Sequence, residues 1–172
     1  MNNLIYLFIL ILALLGYIIF IIFPLSRGAP YVPTSQKTIM SLIEILNGYG
    51  VASFKKAVDL GSGDGRIIIA LSAIGLSCDG IEQNKLLFKL SKRKLKNLKL
   101  LNISNVFNTN FLKYNLSDYD LVTLFQIPYI MPKLKNKLLK ELKPNSLICS
   151  YSFKIPGLNE VQEHNGWYVY RT

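Results

Sequence analysis

Val58-Asp59-Leu60-Gly61-Ser62-Gly63-Asp64-Gly65-Arg66, followed by Glu82, is a set of residue types suited to holding a nucleoside. Glycines at alternate positions let backbone N–H groups come close to a ligand, because glycine adds no Cβ and tolerates positive φ. Glu82 ends the apolar segment Cys78-Asp79-Gly80-Ile81-Glu82. A carboxylate at such a strand tip accepts hydrogen bonds from both hydroxyls of a ribose. The chemistry indicated is the binding of a nucleoside cofactor.

The spacing narrows the choice. A dinucleotide fingerprint runs G-x-G-x-x-G, whereas this loop runs G-x-G-x-G with Asp59 two positions ahead of it. It resembles the first motif of class I S-adenosylmethionine-dependent methyltransferases. That cofactor has no pyrophosphate, and its sulfonium is cationic. Asp59 and Asp64 then offset positive charge, where a phosphate loop would have to attract anions.

The elements that position these residues alternate along the chain. Lys56 to Leu60 reads as a buried strand and Arg66 to Ala73 as an apolar helix. Before them, Thr34 or Ser35 caps a helix running to about Asn47, which Gly48 and Gly50 end. After Glu82, Asn84 caps a basic helix. Further strands are expected over 104–109, 120–125 and 146–153, with a helix over 132–142. Asn165-Gly166, between Val161-Gln162-Glu163 and Trp167 to Tyr170, signals a hairpin. The pattern predicts an α/β fold: a Rossmann-like, doubly wound, seven-stranded and mainly parallel sheet with an antiparallel C-terminal hairpin.

Leu4 to Phe23 carries no charge and is long enough for a bilayer core of roughly 30 Å. It predicts one transmembrane helix ahead of the sheet, with 1–25 as anchor, 26–34 as linker and 35–172 as the methyltransferase domain. Arg27 and Lys37 follow the span and no Lys or Arg precedes it, which places the catalytic domain on the cytoplasmic side. Cys78 and Cys149 lack metal-ligand spacing and read as small buried hydrophobes.

The formal net charge of +10 falls on the C-terminal domain. Much of it is in Lys85, Lys89, Lys92, Arg93, Lys94, Lys96 and Lys99, interleaved with leucines. A solvated helix face is one reading and contact with anionic lipid headgroups another. Nucleic acid ranks third, since basic charge alone is sequence-blind and no recognised nucleic-acid motif accompanies it.

Taken with Pro30-Tyr31-Val32-Pro33-Thr34, Asn110-Phe111 and Leu139-Lys140-Glu141-Leu142-Lys143-Pro144, the glycine loop resembles a small family of seven-strand protein-lysine methyltransferases. That family includes archaeal broad-specificity enzymes and membrane-anchored mitochondrial enzymes that modify a nucleotide carrier or the membrane-embedded ring of the ATP synthase. The resemblance covers essentially everything after Arg27. It implies S-adenosyl-L-methionine as cofactor and a protein with an accessible lysine, at or near a membrane, as substrate. It also implies that Asp59, Gly61, Gly63, Asp64 and Gly65 shape the methionine end, that Glu82 binds the ribose, and that Asn110 and Phe111 contact the adenine. Tyr31 is expected over the transfer channel and Gln126 in the substrate channel, among Phe125, Pro128 and Tyr129. Gln126-Ile127-Pro128-Tyr129 departs from the Asn-Pro-Pro-Tyr of amide and adenine N-methyltransferases at its first two positions. A small-molecule, lipid-headgroup or nucleic-acid acceptor, or a non-catalytic tethered module, are the alternatives. His164 reads as a surface residue.

Overall fold

A computed structural model of the chain describes residues 2–26 and 31–172, with side-chain surroundings for 5–17 and 31–172. It divides into two compact units, Met1–Val32 and Pro33–Thr172. The first is helix α1 (Asn2–Ser26), whose side chains from 5 to 17 are all exposed. Here the expected bilayer contact through Leu4 to Phe23 is corrected. Among the described residues no helix is long and apolar enough to cross a membrane. The single-pass topology and the cytoplasmic placement rested on that span and fall with it. Arg27 and Pro30, expected in the linker, lie outside the described residues.

The second unit is the α/β fold. Among the described residues seven strands form one sheet: β1 (Ala57–Leu60), β2 (Cys78–Ile81), β3 (Val106–Phe107), β4 (Leu121–Leu124), β5 (Leu147–Tyr151), β6 (Gln162–His164) and β7 (Trp167–Arg171). Their order is β3-β2-β1-β4-β5-β7-β6. The first five are parallel, while β7 runs antiparallel to β5 and β6 antiparallel to β7. Every residue of β1, β2 and β4 is buried, as parallel strands covered on both faces must be.

Two cores cover the two faces. Leu42 and Leu46 of α2 (Gln36–Tyr49), with Ile68 and Leu71 of α3 (Arg66–Ala73), pack on one side together with Trp167. Leu134 and Leu138 of α5 (Met131–Glu141) pack with Val58, Val122 and Tyr170 on the other. The basic helix α4 (Lys85–Asn97) buries only Ser91 and Leu95 and leaves its lysines other than Lys94 outward. Caps explain the starts: Ser35 Oγ accepts from the Thr38 N–H, and Asn84 Oδ1 accepts from the Leu86 and Leu87 N–H groups. Asn165 (φ +49°) and Gly166 (φ +83°) make the two-residue hairpin turn, where both positions need positive φ.

Two strands are shorter than expected by three residues or more. The third spans two residues rather than 104–109, because side chains replace the ladder at its ends. Ser104 Oγ accepts from the Cys78 N–H, and Asn108 Nδ2 donates to the Glu82 carbonyl. The fifth stops at Tyr151 rather than Phe153, because Ser152 turns to φ +67°.

Candidate functional site

The C-terminal ends of β1, β2 and β4 meet at one edge of the sheet, where open α/β folds place their ligands. The chain leaves β1 through Gly61 (φ +79°), and a Cβ there would lie 2.3 Å from Gln126 Nε2. That side chain crosses from the end of β4 to donate to the Leu60 carbonyl at 2.8 Å. Gln126, expected in the substrate channel, is buried and ties two strand ends together beside the loop. Gly65 (φ +82°) opens α3, and a Cβ there would meet Ser91 Oγ of α4 at 2.2 Å.

Glu82 closes the loop on itself. Its Oε2 accepts from the Gly63 N–H at 2.8 Å and its Oε1 from the Asn84 N–H at 2.6 Å. Each oxygen keeps a further lone pair, so the carboxylate can still accept from a vicinal diol. Asn108, which the sequence reading did not single out, buttresses this strand end by donating to the carbonyls of Glu82 and Gln83. Its signal was an amide side chain just beyond a short edge strand.

The acidic pair divides its roles. Asp64 is ion-paired with Arg66 and, at 2.6 Å, with Lys94. Burial alone would raise its pKa, but hydrogen bonds and charge from these two cations hold it well below the ordinary carboxylate range. Arg66 also donates to the Thr34 carbonyl at 2.7 Å, fixing the start of α2 to the loop. Asp59 is buried and accepts from Thr123 Oγ1 at 2.9 Å, a neutral donor where Asp64 has two cations. Burial pushes its pKa up to about 7; the Thr123 hydrogen bond opposes this and the charge of Glu82 adds to it.

The residues present fit S-adenosylmethionine. An acceptor-only carboxylate with lone pairs to spare stands at the tip of β2, a buried acid stands at the loop's origin, and the loop's nearest cations are engaged by Asp64 rather than offered to a phosphate. Asn110, assigned to the adenine, forms an Asx turn with the Leu112 N–H, and Phe111 packs against the α5-side core. Tyr31 is exposed and belongs to the first unit. His164 contacts Glu44 at 3.0 Å on the surface.

A stability consequence follows for Asp59. Its folded pKa lies above the unfolded value of ~3.9, so stability is full below that value and falls as pH rises towards 7. Asp59→Asn keeps an acceptor for Thr123 and removes the charge. Thermal unfolding should show the variant gaining on the parent as pH rises from 5 to 8, while calorimetry shows cofactor binding at least tenfold weaker. A constant difference across that range would mean Asp59 is not desolvated as described.

Comparison with known proteins agrees with this geometry. The ANTKMT methyltransferase domain family matches residues 59–162. A protein-lysine N-methyltransferase of Saccharolobus islandicus (strain REY15A) is 33% identical over 137 residues, which is 76% of this chain and 80% of that protein. The adenine nucleotide translocase lysine N-methyltransferase of Mus musculus is 31% identical over 134 residues, 77% of this chain but 57% of that protein, so the chain spans little more than half its length. Among solved structures, an RNA methyltransferase from Salinibacter ruber in complex with S-adenosyl-L-homocysteine superposes with a TM-score of 0.73 at 26% identity, covering 81% of this chain and 92% of that one. A glycine loop closed by Glu82, within a sequence that tracks an archaeal lysine-modifying enzyme over most of its length, leaves one assignment: the chain belongs to the ANTKMT methyltransferase domain family and is an S-adenosylmethionine-dependent protein-lysine methyltransferase.

Proposed function

We propose that the methyl acceptor is the ε-amine of a lysine on a protein that presents itself beside an anionic surface, a membrane protein being the class that fits best. The observation that carries this is the lysine specificity of the matched relatives, one of which is named for adenine nucleotide translocase. The exterior of α4 is consistent with it: Leu86 (76% exposed) and Leu90 (44%) stand among Lys85, Lys89 and Arg93, a combination suited to anionic headgroups.

When bound, S-adenosylmethionine supplies a methyl group on a sulfonium, which an amine lone pair displaces as the C–S electron pair goes to sulfur. The protein's task is alignment and desolvation. Glu82, oriented by the Gly63 N–H, is assigned to the ribose, and the Gly61–Gly65 loop to the methionine end. Gln126 is assigned to the transfer channel, by fixing the ends of β1 and β4 there. Asn110 and Phe111 are assigned to the adenine. A lysine with an ordinary pKa of ~10.4 becomes neutral when its amine is desolvated, so a strong general base is not required.

The test is transfer of isotopic methyl from S-adenosylmethionine into membrane-protein, soluble-protein, lipid and RNA fractions, followed by mass spectrometry of the labelled residue. Methyl-lysine concentrated in membrane proteins supports the proposal. Label confined to soluble protein, lipid or RNA overturns it.

A further inference from the structure

The end of β5 carries a feature that cofactor binding does not use. Tyr151 and Phe153 flank Ser152, whose φ of +67° is costly for a residue with a Cβ. The Phe153 N–H donates to the Tyr151 carbonyl at 2.9 Å across a single intervening residue, which makes a γ-turn of the rare, strained hand. The fold fixes this turn from both sides. The Ser152 N–H donates to the Gly166 carbonyl at 2.8 Å, and Ser150 Oγ donates to the Phe153 carbonyl at 2.6 Å.

The turn sends its two aromatic rings to opposite faces of the sheet. Tyr151 packs with the core under α2 and α3, and Phe153 with the core under α5. Phe125, the first residue beyond β4, joins them: its ring is edge-on to Tyr151 at 5.0 Å and stacked with Phe153 at 6.5 Å. A half-buried aromatic row therefore crosses the C-terminal edge of β4 and β5, next to Gln126. Tyr151 is fixed further by its hydroxyl, which accepts from Thr38 Oγ1 at 3.3 Å, and an open cleft of 420 Å³ lies beside it, lined also by Ser35, Thr38 and Asn165.

We propose that Phe125, Tyr151 and Phe153 form the wall along which the acceptor lysine lies, and that the strained turn at Ser152 sets that wall. Resting on the lysine-methyltransferase reading, this assigns positioning residues to it. Aromatic faces remove water from the lysine stem, favouring the neutral amine before transfer, and their quadrupole attracts the methylated cation afterwards.

Trp167, the chain's single tryptophan, lies 5.2 Å from Tyr151 and reports on the site by its emission. The full chain saturated with S-adenosylhomocysteine is titrated with Nα-acetyl-Nε-trimethyl-lysine methylamide and, separately, with its neutral tert-butyl isostere. The cation should bind at least fivefold tighter. Phe125→Leu and Phe153→Leu should abolish that preference while leaving S-adenosylmethionine affinity within twofold. Should a leucine variant fail to fold, Ser152→Gly carries the test, because glycine accepts this φ and only loosens the wall. It should raise the thermal midpoint yet weaken the cation at least threefold. Equal binding of the two probes, or variants that keep the preference, overturns the proposal. Methyl-lysine found by mass spectrometry with no probe preference sinks this inference alone. Label in RNA or lipid with no probe binding sinks the reading beneath it.

Discussion

Replacing Glu82 with alanine weakens S-adenosylmethionine binding to the full chain by roughly 100-fold, read by calorimetry. Hydrogen bonds to an ionised group contribute about 1.5–3 kcal/mol each, and two ribose hydroxyls lose their acceptor together. The loop loses its closure as well, since the Gly63 and Asn84 N–H groups both donate to this carboxylate. Glutamine is not a rescue. Its amide offers one acceptor oxygen where two backbone donors converge, so its NH2 group faces an N–H. Glu82→Gln therefore loses at least tenfold although shape and volume are kept. Unchanged affinity in both variants would mean that the cofactor's ribose lies elsewhere.

The glycine loop, Glu82 and the strand–helix alternation were legible because each is written in contiguous residues. Buried parallel strands read as apolar runs, and Asn165-Gly166 names its own turn. What the sequence hid depends on neighbours far along the chain. That the Gln126 amide reaches the Leu60 carbonyl follows only once β4 is placed beside β1. That Asp64 pairs with Lys94 follows only once α4 is packed against the loop. The aromatic row joins residues 26 positions or more apart through the pairing of β4 with β5. Ser152 carries no turn signal at all; serine at positive φ is imposed by the hydrogen bonds around it, so the apolar pattern of 146–153 overran the strand's true end. The uncharged N-terminal run shows the opposite error, in which composition and length suggested a span that the described residues do not supply.

Asp79→Ala is expected to cost about 3–5 kcal/mol and to lower the thermal midpoint by roughly 6–15 °C, with cofactor affinity held within twofold. Asp79 is buried, and it gathers the entries of three neighbouring strands. It accepts from the Asn105 N–H ahead of β3 and the Tyr119 hydroxyl ahead of β4, and it pairs with Lys56 ahead of β1 at 2.7 Å. Lys56 is more than a third exposed, so its share is discounted for solvent screening; it also lies 5.0 Å over the Tyr119 ring. Most of the cost falls on the Asn105 N–H and the Tyr119 hydroxyl, which lose their carboxylate acceptor. Burial, with its hydrogen bonds with Tyr114 and to Asp79, drives the Tyr119 pKa upward, so its hydroxyl keeps the proton it donates. Tyr119→Phe should cost only about 1–2 kcal/mol, and the double variant should fall short of the sum because the two groups share a bond. Full additivity would show that Asp79 and Tyr119 do not act on each other. The contrast with Glu82 is the sharper test. Both carboxylates sit on or just beyond β2, one near each end, so one strand carries a structural acid at its entry and, at its exit, the acid proposed to bind the ribose. Asp79→Ala should move the melting curve and spare the binding isotherm, while Glu82→Ala should weaken binding roughly 100-fold whatever loss of loop closure does to its melting curve. A binding loss in Asp79→Ala as large as that of Glu82→Ala would mean that the two edges of the sheet are coupled and that β2 cannot hold its tip without its root.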